Sequence, residues 1–317
     1  MTKKDSGIVF LIMILAELVL AGGLRLLVKL GLDVQMPAIL SLILNQLILL
    51  VPVLIYLFVK KIPLKDVFRL RRIKVANIFL CIVYTLLCAP AMIFANLVTM
   101  LIAGNTAMEL GSMLSGVSPI VIVLIVGILA PVNEEFMTRG VLNTGLRSTG
   151  RVVGAALLTG LCFGVMHLDL NQFSYAFIIG TMMVLVNEAA DSIWPSIIFH
   201  ICINFGNVVN LIANMSAVTQ AGGDYKQILA PIAEQSGMTI EAMMAATIVV
   251  YAVLAVGGLT LAILLLFGIA GIEGRYKEFT AVFKKSNEKK ESLWSPYMII
   301  ALFIGIIVII AMLAYRF

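Results

Sequence analysis

Charge is scarce in this sequence. Lys, Arg, Asp and Glu supply 12% of its 317 residues, against 62% that are hydrophobic. Soluble domains carry about 25% charged residues, and no single soluble core hides so much apolar surface. Cysteine and histidine are scarce too, at four and two residues. Cys81, Cys88, Cys162 and Cys202 lie in apolar runs without C-x-x-C spacing. They suggest neither a disulfide framework nor a thiolate metal site and read as small packing residues. The H-E-x-x-H pattern of zinc peptidases is missing. So is any internal repeat. The opening MTKKDSG leads into an apolar run without a small-residue cleavage site, which reads as a first spanning helix rather than a removed signal peptide.

What is present is a series of long apolar runs. They predict an all-α, polytopic membrane bundle of about 8–9 transmembrane helices of roughly 20 residues each. The runs fall near 7–31, 36–59, 76–103, 117–146, 152–170, 173–190, 193–215, 243–272 and 296–315. Segment 60–74 (KKIPLKDVFRLRRIK) has seven Lys/Arg against one Asp, and 275–291 has six Lys/Arg. Segment 104–116 has none, and 216–242 has only Lys226. The net charge of +5 therefore reads as the positive-inside bias, with the basic loops and N-terminus cytoplasmic. It does not point to nucleic acid. Anionic lipid is a partner these loops could touch. A multi-pass protein of the cell membrane is expected, and the abundant Met with no eukaryotic signal fits a bacterial cytoplasmic membrane.

Against that background PVNEEFMTRG (131–140) stands out, because it follows ten residues without a polar side chain. Ionisable groups at such depth cost about 2.5–3.5 kcal/mol each and call for a functional or pairing role. Glu135 and Arg139 are four apart on one helical face, in the favourable order for an ion pair. Glu134 is rotated by about 100° from Glu135 and is the surplus carboxylate. Pro131 has no N–H to offer Gly127 and should loosen the helix just upstream. Both histidines lie in apolar runs, LCFGVMHL and SIIFHICINF. His200 shares a face with Asn204, and Phe163 with His167. Ser192, Trp194 and Pro195 read as cap, interfacial anchor and first-turn proline of the seventh run. That puts His200 about 10 Å into the membrane at 1.5 Å per residue. Glu134 and His167 lie at similar distances from the turn near 148–151. If the fifth helix begins at Val152, however, His167 reaches beyond the depth of His200. Glu17 reads as a structural contact, with Arg25 or Lys29 as possible partners. Gly268 and Gly271 read as a helix-packing seam.

EEFMTR (134–139), FGVMH (163–167) and HICIN (200–204) fit EExxxR, FxxxH and HxxxN in that order. Together they resemble the CPBP or Abi family, which comprises CAAX prenyl-protein endopeptidases and bacteriocin-processing enzymes. The resemblance covers about 115–215. It divides the chain into N-terminal transmembrane helices (1–114), a CPBP-like catalytic core (115–215) and a C-terminal loop with further helices (216–317). It implies an integral-membrane endopeptidase whose active site is carried by a core of four helices. Its substrate would be a peptide or lipidated, membrane-associated protein. The implied catalytic residues are Glu134 as general base, assisted by His167, with His200 and Asn204 stabilising the oxyanion. Glu135, Arg139 and Phe163 support them. Hydrolysis without a metal is favoured. Were zinc present, Glu134, His167 and His200 would be the ligands. A non-catalytic immunity or scaffold protein, and a proton-coupled transporter, are the alternatives.

Overall fold

The computed structural model describes residues 1–31, 37–284 and 290–316. These residues form helices and no strand. The helices are α1 (Lys3–Lys29), α2 (Ala38–Val59), α3 (Leu64–Phe68), α4 (Val75–Ala103), α5 (Thr106–Met113) and α6 (Pro119–Arg147). Then come α7 (Val152–Met166), α8 (Leu170–Ala190), α9 (Trp194–Ala213), α10 (Met215–Gln220), α11 (Tyr225–Ser236), α12 (Ile240–Ile272), α13 (Tyr276–Ala281) and α14 (Pro296–Arg316). Among the described residues seven helices, α2, α4, α6, α8, α9, α12 and α14, are long and apolar enough to cross a membrane. The chain is thus a multi-pass helical membrane protein. The run 152–170 is shorter than expected, because α7 stops at Met166 after 15 residues. Segment 216–242, expected as a loop, contains α11 and most of α10.

Helices α6, α7, α8 and α9 pack on one another. Helix α4 backs α8 and α9, α12 lines α4, and α1 pairs with α14. One apolar cluster joins Phe10, Tyr84, Met137, Phe163, Phe199 and Met298 from six helices. Its buried tyrosine is satisfied inside the bundle. The Tyr84 hydroxyl donates to the Met182 carbonyl at 3.0 Å. An unsatisfied polar group in hydrocarbon would cost several kcal/mol.

Glycine sets two close helix crossings. A Cβ on Gly160 would stand 2.7 Å from the Phe177 carbonyl oxygen, so α7 and α8 approach there backbone to backbone. One on Gly258 would meet the Leu87 carbonyl of α4 at 2.3 Å. Gly268 and Gly271 do not act this way. A Cβ there would meet only Leu265 of the same helix, or nothing within 4 Å, so the expected seam lies elsewhere on α12. Glu17 finds its partner on α2, where the Asn45 amide donates to both carboxylate oxygens at 3.0 and 3.1 Å. The side chains of Arg25 and Lys29 lie outside the described residues.

Candidate active site

Pro131 leaves its mark on α6. Residues Val123–Leu129 and Phe136–Leu142 are π-helical, and an ordinary α-helical segment, Ala130–Glu135, lies between them. In the first π segment the Ala130 N–H reaches back five residues to the Ile125 carbonyl. The same step would pair the Val126 carbonyl with residue 131, which is proline and has no N–H. That carbonyl is instead taken by α9, where Asn204 Nδ2 donates to it at 3.2 Å. An amide NH2 has two hydrogens, so one N–H of Asn204 remains for another acceptor. In the second π segment the Asn143 N–H reaches the Thr138 carbonyl. The Thr138 hydroxyl donates to the Glu134 carbonyl at 2.5 Å. Single-turn π segments of this kind recur at functional sites.

The Glu135–Arg139 pair forms across one turn, with Nη1 2.7 Å from Oε1 and both side chains fully buried. Arg139 is fixed on three other sides. Nη1 donates to the Thr138 hydroxyl at 2.8 Å, and Nη2 to the Gly180 carbonyl of α8 at 3.2 Å. Its guanidinium carbon lies 4.2 Å from the ring centre of Phe163, a cation–π contact sheltered from water. Gly180 makes room for this, since a Cβ there would stand 3.0 Å from both Phe163 and the Gly160 backbone.

His200 ties α9 to α6. Its Nδ1 is 2.8 Å from Glu135 Oε1, and its Nε2 is 3.8 Å from Glu134 Oε2. An ionised carboxylate only accepts, so the proton of the first contact belongs to Nδ1. Glu134 is the more accessible of the two acids, its side chain 14% exposed against 0% for Glu135.

His167 is placed by the way α7 ends. Its N–H bonds the Gly164 carbonyl, three residues back. The Phe163 carbonyl is thereby released, and His167 Nδ1 takes it at 2.7 Å. A carbonyl accepts, so Nδ1 carries hydrogen, and a neutral ring leaves Nε2 with a lone pair. Leu168 follows in the left-handed region at φ 52°. Such a conformation costs a side-chain-bearing residue about 1–3 kcal/mol and tends to persist at functional sites. Phe163 joins the two histidines, lying edge-on to His167 at 5.0 Å and to His200 at 5.6 Å between ring centres. The depth mismatch expected from a helix start at Val152 is thus accommodated. Helix α7 does begin there, and both imidazoles meet the same aromatic ring.

Glu134, Glu135, Arg139 and His200 therefore form a contiguous array. His167 joins it through Phe163, and Asn204 sits one turn beyond His200, held by Val126. Sequence reasoning missed Thr138 and Gly180, the partners of Arg139. Neither gives a local signal, because a threonine and a glycine in apolar helices are ordinary. It also missed how Asn187 positions α9. The Ser196 N–H donates to Asn187 Oδ1 at 2.9 Å, and Asn187 Nδ2 donates to the Ser196 hydroxyl at 2.7 Å. Ile193 is the residue that precedes α9, without a side-chain cap, and Ser192 Oγ accepts the Trp194 N–H at 3.3 Å, so Ser192 supplies the capping contact from one residue further back. Its hydroxyl donates to the Arg71 carbonyl at 2.6 Å.

Among the described residues no three His, Cys, Asp or Glu side chains gather as a metal's ligand set would. His200 Nδ1 is engaged by Glu135, and His167 Nδ1 by a carbonyl. Each imidazole thus keeps its Nε2 available, with Nδ1 oriented by a carbonyl or carboxylate as is usual for a functional histidine.

Residues 116–206 match the family model described as Type II CAAX prenyl endopeptidase Rce1-like. The match is consistent with the CAAX protease family of membrane endopeptidases, and it spans every residue of the array. No curated protein and no solved structure matches the chain.

Proposed function

We propose that this chain, on the strength of its CAAX-endopeptidase-like segment, hydrolyses a peptide bond of a lipidated or membrane-associated protein, with Glu134 activating the water. The observation that carries the proposal is the division of labour between adjacent carboxylates. Glu135 is consumed by Arg139 and His200, whereas Glu134 remains partly accessible beside His200. Glu134 takes a proton from water, and the hydroxide adds to the scissile carbonyl. His167, with Nε2 as acceptor, helps orient that water. The tetrahedral oxyanion is held by His200 Nε2–H and by the second N–H of Asn204. When the C–N bond breaks, Glu134 returns its proton to the leaving amine.

Each part has a physical warrant. A positioned general base contributes about 10²–10⁴-fold. An oxyanion donor is worth about 10²–10³-fold in kcat. A His200 protonated on both ring nitrogens offsets the second carboxylate and presents the required N–H. Glu135, Arg139 and Phe163 act through His200 and are positioning residues. In this reading Glu134 activates the water itself, and each histidine uses the Nε2 that its engaged Nδ1 leaves available. The basic loops support a cytoplasmic N-terminus, with the site opening toward the cytoplasmic leaflet.

The test is incubation of the detergent-purified chain with a prenylated C-terminal peptide and its unprenylated twin, read by mass spectrometry. Release of the C-terminal fragment, faster from the lipidated peptide, is expected. Persistence of both peptides intact under conditions where the protein stays folded would contradict the proposal.

A further inference from the structure

Arg147 closes the basic end of α6, and around it the chain gathers more positive charge than it neutralises. Glu188 and Asp191, at the end of α8, face four arginines from three segments. Arg69 Nη1 lies 3.0 Å from Glu188 and 3.5 Å from Asp191. Arg147 Nε donates to Glu188 at 2.8 Å, and its Nη2 is 4.0 Å from Asp191. Arg275 Nη1 is 3.2 Å from Asp191, and Arg71 pairs with the same carboxylate. Four guanidiniums against two carboxylates leave an excess of two positive charges. Arg69 Nη2, unlike the ion-paired Nη1, is buried and has no partner.

This cluster is built into the fold. Segment 60–74 is pinned by the Ile193 N–H on the Arg69 carbonyl at 3.3 Å and by the Ser192 hydroxyl on the Arg71 carbonyl. The Thr144 hydroxyl takes the Val67 carbonyl at 3.0 Å. Arg69 and Asp191 both occupy the left-handed region, at φ 41° and 51°. Each is the left-handed residue that ends a helix, α3 and α8 respectively, which fixes where the two side chains leave the chain. The segment is therefore more than a topology signal.

A cavity of about 500 Å³ opens beside the cluster, lined by Arg69, Arg71, Thr144, Arg147, Ser148 and Asp191. Its volume suits a small ligand. It is distinct from the array at Glu134. Arg147 is thirteen residues further along α6, about 20 Å at 1.5 Å per residue. Three extended residues reach about 10 Å, too little to bring the carboxylate end of a short cleaved tail here. The pocket lies instead at the level of helix ends, where Arg147 closes α6, Val152 opens α7 and Asp191 follows α8. Lys60, Lys61, Lys65, Arg72 and Lys74, on the same segment as Arg69 and Arg71, are exposed.

We propose that this pocket binds a phosphate group, presented by the headgroup of an anionic membrane lipid. Planar guanidiniums match phosphate oxygens in pairs, and one phosphate would take up both the charge excess and the unused Nη2 of Arg69. Depth and the polybasic segment favour a lipid as its carrier.

The test is thermal unfolding of the full chain in detergent, titrated with phosphatidylglycerol, phosphatidylcholine or inorganic phosphate. Saturable stabilisation by phosphatidylglycerol and little by phosphatidylcholine is expected. In Arg71→Gln, whose side chain is 68% exposed, the apparent affinity should fall about tenfold, the loss of one charge-assisted contact. Arg147→Gln should behave alike if it folds. Equal responses to the two lipids, or an unchanged response in Arg71→Gln, would overturn the site. Inorganic phosphate matching the effect of phosphatidylglycerol would overturn the lipid headgroup as the ligand.

Discussion

His200 stands between two sequence-adjacent carboxylates, with Nδ1 2.8 Å from Glu135 and Nε2 3.8 Å from Glu134. One imidazole thus joins an acid already paired with Arg139 to an acid that remains accessible. The two glutamates should behave differently when neutralised. In Glu135→Gln the fully buried Arg139 guanidinium loses its counter-charge. Breaking such a pair costs about 3–5 kcal/mol, so a marked fall in melting temperature in detergent is expected. Glu134→Gln should melt close to wild type. Equal destabilisation by both substitutions would contradict the division of labour.

Asn204 serves two partners. Asn204→Ala leaves the Val126 carbonyl without a donor, a loss of about 1–3 kcal/mol, and removes one oxyanion N–H. Peptide-cleavage kinetics should show kcat reduced about 10²-fold with KM little changed. A rise in KM at constant kcat would assign Asn204 to substrate binding instead.

Glycine positions provide a paired test of packing. Gly160→Ala forces a methyl to 2.7 Å from the Phe177 carbonyl and 2.8 Å from the Thr181 nitrogen. Overpacking of this kind costs about 1–3 kcal/mol, so lowered thermal stability and reduced activity are expected. Gly271→Ala meets no atom within 4 Å. It should be neutral or stabilising by up to about 1 kcal/mol through helix propensity. The reverse order of melting temperatures would mean that α7 and α8 do not cross at Gly160.

Cleavage should survive a chelator. Dialysis against EDTA, followed by assay with and without added zinc, is expected to leave the rate unchanged. Loss of activity on chelation and recovery with zinc would show that Glu134, His167 and His200 regroup around a metal.

These contrasts separate what was legible in the sequence from what was not. The Glu135–Arg139 pair and the surplus position of Glu134 follow from helical periodicity alone, which is local. The pairing of His200 with Glu135, rather than with Glu134 alone, depends on the register of α9 against α6. That register is set by Asn187 and Ser196 and by the Asn204–Val126 bond, none of which a single helix encodes. Pro131 signalled a disturbed helix, but not that the disturbance would spread into two π segments. Segment 60–74 read as a topology signal because Arg69 and Glu188 are 119 residues apart. Gly268 and Gly271 misled because small-residue spacing says nothing about whether a neighbouring helix is present.

The most direct measurement compares wild type and Glu134→Gln on one prenylated peptide, each purified in detergent and matched for melting temperature. The wild type is predicted to release the C-terminal fragment, with the variant slower by about 10²–10⁴-fold. Equal rates from the two proteins would contradict the assignment of Glu134 as the base that activates water.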